Sequence, residues 1–140
     1  MVAAPNGDLV VLASGRATAQ GGASWAVLRY RAAGGALLWS RVRASTDVAG
    51  KPTDTGAHGL AVDAAGSVYV AGFTHLSDDS PGVAIAEKCF AAGRPVWRFA
   101  GDGAGYANNC FTVICAGGVL AGGSPATTTG ETSFVQRLRP

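Results

Sequence analysis

The chain has 140 residues, of which 48% are apolar and 14% charged, with 21 glycines and a net charge of +2 from 11 basic and 9 acidic residues. The apolar content is enough for a buried core and excludes global disorder. The glycines lack the three-residue period of collagen, and no apolar run approaches the ~18 residues of a membrane-spanning helix. So small a positive charge does not point to a nucleic-acid partner.

From the N-terminus onward, short runs rich in Val, Leu and aromatic residues alternate with clusters of Gly, Asn, Asp, Ser and Pro. That is the pattern of strands joined by hairpin turns. It predicts strands near Asp8–Ser14, Trp25–Tyr30, Ala36–Val42, Gly59–Asp63, Ser67–Phe73, Val83–Cys89, Pro95–Ala100, Asn109–Ile114, Gly118–Gly122 and Ser133–Leu138. Val83–Ala92 also has good helix propensity. Its counterpart Trp25–Ala33 carries aromatic and β-branched residues, so both are predicted as strands.

That correspondence is part of an internal repeat. Gly7–Ala13 aligns with Gly66–Gly72, and Val27–Gly34 with Ala86–Gly93, both at an offset of 59. Leu38-Trp39 then meets Val96-Trp97 one residue out of step. Leu60–Gly66 maps onto Phe111–Gly117, which pairs His58 with Asn109, and Val135–Leu138 takes the place of Ala86–Cys89. The chain thus reads as one domain over residues 1–140, with units near 1–43, 57–100 and 107–140. Strand counting gives three, four and three strands, the first unit lacking its opening strand and the last its closing one. The loops Arg16–Ser24, Thr74–Gly82 and Ser124–Thr132 are equivalent in place but share little beyond small polar residues.

Arg29, Arg31, Arg41 and Arg43, and Arg137 and Arg139, stand in i, i+2 pairs, which on strands share a face. They are read as solvated strand faces. The three cysteines, Cys89, Cys110 and Cys115, form no CxxC or zinc-finger pattern and are read as small buried hydrophobes. The first residues, Met1–Gly7, lack the basic start and continuous apolar core of a signal peptide, so a secreted parent would carry its signal upstream.

The run Gly59–Thr74 contains "VDAAGSVYVAG" and resembles the bacterial β-propeller repeat known as SBBP, in which a "VD-x-x-GNVYV-x-G" stretch recurs once per blade. Ala86–Lys88 with Ala91–Arg98 is similar to the later "AKLDPDG...W" part of that repeat. Arg31 and Phe90 stand where the family has an Asp, and Ile114 replaces the Asp at position 63. The resemblance implies an all-β fold of antiparallel four-stranded blades, here an incomplete propeller of two to three blades. It implies Trp39 and Trp97 on outer strands, packed against a neighbouring blade. Propellers close with about four to eight blades. The chain is therefore read as a fragment whose partners are further blades, from the same parent chain or from other copies, meeting at edges near Asp8–Ser14 or Ser133–Leu138.

Chemistry-bearing residues are few. His58 and Asn109 lie where inner strands begin, and His75 shares a loop with Asp78 and Asp79. These five are the weak binding candidates, and for His58 a satisfied turn residue is the plainer reading. A cation held by the Asp-Asp-Ser-Pro loop is the alternative to simple turn formation. No catalytic set, metal site or cofactor is predicted. The expected function is a non-catalytic propeller module, a scaffold or a binder of protein or glycan. The alternative is part of a propeller lyase or hydrolase with its site in the central channel.

Overall fold

The computed structural model describes residues 1–16, 22–46, 50–75 and 82–100, and beyond them the backbone of segments 109–115, 118–124, 126–127, 130–131 and 134–138. The described residues are all β, with no helix among them. The strands are Val2–Ala3 (β1), Leu9–Arg16 (β2), Ala23–Tyr30 (β3), Leu37–Arg43 (β4), Ser45–Thr46 (β5), Pro52–Thr53 (β6), Thr55–Val62 (β7) and Val68–His75 (β8). They continue as Gly82–Cys89 (β9), Pro95–Ala100 (β10), Asn109–Cys115 (β11), Gly118–Ser124 (β12), Ala126–Thr127 (β13), Gly130–Glu131 (β14) and Phe134–Leu138 (β15). Each predicted strand is present.

The strands build two four-stranded antiparallel meanders, β1-β2-β3-β4 (sheet 1) and β7-β8-β9-β10 (sheet 2), and a three-stranded one, β11-β12-β15 (sheet 3). β5 with β6, and β13 with β14, form separate two-stranded hairpins. The described strands form no closed sheet. Sheet 1 corrects one expectation: its opening strand exists, because Val2 and Ala3 pair with Val10 and Leu9. Two residues carry too little apolar pattern to announce a strand. The same pairing covers the edge of β2 at Leu9 and Val10, so the stretch Asp8–Ser14 is a free edge only in part.

Sheets 1 and 2 share one register. β2 and β3 pair from Leu9↔Tyr30 to Arg16↔Ala23, and β8 and β9 pair from Val68↔Cys89 to His75↔Gly82, every pair displaced by 59 residues. The hairpin turns repeat as well: Ala4 N–H donates to Asp8 C=O as Asp63 N–H does to Ser67 C=O. A β-bulge falls at the same point of both outer pairings, at Leu38 and at Val96. The lost residue of register lies in the preceding turn, where Gly34 and Gly35 both have positive φ and the second unit has Gly93 alone.

Sheet 3 follows the repeat on one side only. Val119↔Leu138 and Leu120↔Arg137 stand where Val68↔Cys89 and Tyr69↔Lys88 do. β11, however, pairs Ile114 with Val119, whereas in sheet 2 Val68 faces Val62. Ile114 therefore takes the place of Val62 and not that of Asp63, a one-residue correction to the alignment of the third copy. The cause is turn length: two residues join β11 to β12, against five between β7 and β8.

Alternation tells which faces are covered. From Trp25 to Tyr30, β3 alternates between buried and half-buried residues, whereas Val68–Gly72 of β8 is buried without alternation. Sheet 2 is thus covered on both faces, and it has sheet 1 on one side and β11 of sheet 3 near β7 and β8. The core between sheets 1 and 2 joins Val10, Trp25 and Val27 to Ala57, Val68, Val70 and Ile85. Burying a Val or Ile side chain contributes roughly 1.5–3 kcal/mol, so this apolar seam holds sheets 1 and 2 together.

Candidate functional site

Polar groups concentrate at the seam between sheets 1 and 2. Arg29, on β3, is only 4% exposed. Its Nε donates to Asp8 Oδ2 at 3.1 Å and its Nη2 to Asn6 Oδ1 at 3.1 Å. Its Nη1 crosses to sheet 2 and donates to the carbonyls of Gly66 (3.1 Å) and Ala91 (3.2 Å), in the two turns that flank β8 and β9. Trp39 Nε1 donates to the same Ala91 carbonyl at 2.8 Å. The indole lies over Gly93, where an added Cβ would come within 2.7 Å of the ring; with φ at +80°, that position takes glycine on both counts.

Farther along β4, Arg41 Nε donates to Glu87 Oε1 at 2.6 Å, and Arg43 Nη2 donates to Glu87 Oε2. Glu87 is 3% exposed. Burial pushes its carboxyl up, but hydrogen bonds and charge from Arg43 and Arg41 outweigh this and hold it below the usual range. Asp8 is likewise lowered, by the Asn6 amide, the Ala32 N–H and Arg29. These contacts correct the reading of Arg29, Arg41 and Arg43 as a solvated face. The i, i+2 spacing does place them on one face, but that face meets sheet 2. Arg31 is exposed. The available signal was the repeat itself, since Arg29, Lys88 and Arg137 recur at one register position inside successive sheets.

The two histidines come together. His58 is the bulged residue of β7, between Ala57↔Gly72 and Gly59↔Ala71. Gly72 permits the bulge, because a Cβ there would strike the Gly56 carbonyl and Ala57 Cα. The exposed His58 ring stacks on Phe73 at 5.5 Å and 20°, and His75 meets the same ring edge-on at 5.5 Å and 88°. His75 ends β8, paired with Gly82, and does not belong to the loop. Its N–H donates to Asp54 C=O, and its own carbonyl accepts from Thr53 Oγ1, both at 2.8 Å. Asp78 and Asp79 lie outside the described residues. Asn109 opens β11 opposite Ser124, a position matching Gly56 rather than His58, because the described β11–β12 pairing runs without a bulge.

The cluster His58–Phe73–His75 offers an aromatic surface with an imidazole at its rim, suited to stacking against a flat apolar group or a sugar face. No metal-holding group of three or more His, Cys, Asp or Glu occurs among the described residues. Cys89 is buried and unbridged, with its thiol pushed up to about 11 by burial and by the Glu87 charge. It therefore stays protonated near neutrality and is a poor nucleophile. Trp97 is half-buried and meets Tyr69 of its own sheet at 6.2 Å. No helix among the described residues is long and apolar enough to cross a membrane. No protein-family model matches the chain, and the comparison with curated proteins finds no match.

Proposed function

We propose that the chain is a run of β-propeller blades of the SBBP kind, acting as a non-catalytic scaffold that binds a protein or glycan at the His58–Phe73–His75 surface. One observation carries this reading: two successive meanders of identical strand register are stacked face to face. A structure that repeats one packing unit imposes geometry on its loops and needs no chemistry of its own. The buried charges support the same reading. Arg29, Asp8 and Glu87 are engaged in joining one sheet to the next or in holding the turns that do so.

The test is an amide-shift titration of the labelled chain with a panel of oligosaccharides and peptides. Binding should perturb residues around His58, Phe73 and His75 and be lost in Phe73→Ala. His58→Ala should bind more weakly yet keep its stability within about 0.5 kcal/mol, as exposed substitutions do. Perturbations confined to other surfaces would place the binding role elsewhere.

A further inference from the structure

Sheet 1 has a face turned away from sheet 2, built from Leu9, Val11 and Ala13 on β2, Ala26 and Leu28 on β3, and Val42 on β4. Register makes it the counterpart of the face by which sheet 2 receives sheet 1. Leu9, Val11 and Ala26 occupy the places of Val68, Val70 and Ile85, which are core residues or nearly fully buried in that seam. Here the equivalents are less covered: Leu9 is 41% exposed and Val11 and Ala26 are half-buried, and beside them Val42 is 67% exposed. An open groove of about 300 Å³ at the Gly15–Ser24 end of sheet 1 takes in Ala13, Ala26 and Val42 of this face and reaches Ser14 and Trp25 of the seam face. Gly7 and Ala32, equivalent to Gly66 and Ala91 whose carbonyls accept Arg29, are exposed too.

We infer that this face is occupied by sheet 3 of a second copy of the chain, so that two copies close head to tail into one ring. The inference rests on the blade reading above. Three observations select this occupant. Arg137 faces Leu120 in sheet 3 as Arg29 faces Val10 in sheet 1, so the copy brings a basic residue to the register position that the carbonyls of Gly7 and Ala32 require. Where sheet 2 presents Glu87 to Arg41 and Arg43, sheet 1 presents Leu28. An occupant with arginines on a fourth strand would find no carboxylate there, and the described sheet 3 ends at its third strand, β15. Finally, the sheets described here number six in two copies, within the about four to eight that close a propeller, and nine in three. The edge pairing expected from sequence is replaced by face stacking, with the same two patches meeting twice about a two-fold axis.

Sedimentation of the full chain across a wide concentration range tests this. The expected result is a reversible species of twice the chain mass. Leu28→Glu, on the receiving face, and Arg137→Glu, on the presenting sheet, should each weaken association about tenfold or more, by an unpaired charge or a lost charged donor. Mixed one to one, the two variants restore one of the two interfaces, because each keeps the patch the other lacks, and should associate more tightly than either variant alone. A parent chain that is monomeric at all concentrations, a mixture that associates no better than its components, or a ladder of longer oligomers of the parent chain overturns the closed dimer. Circular dichroism and amide shifts separate this failure from failure of the blade reading. A monomer that keeps its β spectrum and its sheet 1–sheet 2 contacts loses the dimer alone. A chain without those contacts loses both.

Discussion

Glu87 shows how a buried charge is made tolerable in this seam. Its burial is costly, and two guanidiniums from the neighbouring sheet compensate with charge-assisted hydrogen bonds. Because its folded pKa lies below its unfolded one, near 4.3 for a free Glu, the stabilisation is complete above about pH 5 and is lost as pH falls through the lowered value. Asp8 and Asp63, lowered as well, act in the same direction. For Asp63 burial raises the pKa, but the Ser67 N–H and the Tyr69 hydroxyl more than offset it. Glu87→Gln should therefore cost about 1.5–3 kcal/mol at pH 7, the range for hydrogen bonds to charged groups. The difference from the parent chain should shrink as pH falls below about 4. Urea unfolding at pH 7 and pH 3.5 measures both. A difference independent of pH would show that shape, and not charge, is what Glu87 supplies.

At the scale of strands and turns, the sequence was most informative where the pattern repeats. Val68-Tyr69-Val70 against Leu9-Val10-Val11 set the strand, its register and its turn, since local propensity and repeat agree there. For Arg29 the strand pattern gives the shared face but not what covers it, which is sheet 2. His58 and His75 looked unrelated because a bulge, opened beside Gly72, re-aims one of them toward the Phe73 that the other also meets. Val2–Ala3 takes its strand character from its partner, β2, and so carries no pattern of its own. The turn pair supplies a prediction. Deleting Gly35 gives the first unit the turn length of the second, and stability should change by less than about 1 kcal/mol, since loop length alone has a small entropic effect. Gly93→Ala should cost more, about 1–3 kcal/mol, because it strains a left-handed backbone beneath Trp39. Thermal melts of the two variants should keep that order.

For the molecule as a whole, the described contacts run between neighbours: sheet 1 with sheet 2, and sheet 2 with β11 of sheet 3. Sheet 2 is the member covered on both faces. Opening either flanking sheet breaks one seam within the chain, whereas opening sheet 2 breaks two, so the amides of β8 and β9 report the rarest fluctuation. Native-state hydrogen exchange in dilute solution should find these amides the slowest, with those of β2 and β3 faster. Raising the protein concentration should slow β2 and β3 toward them, as a second copy covers the outer face of sheet 1. The central sheet thus acts as the chain's clock: its exchange rate is set from within, while the rates on either side of it depend on how many copies share the solution.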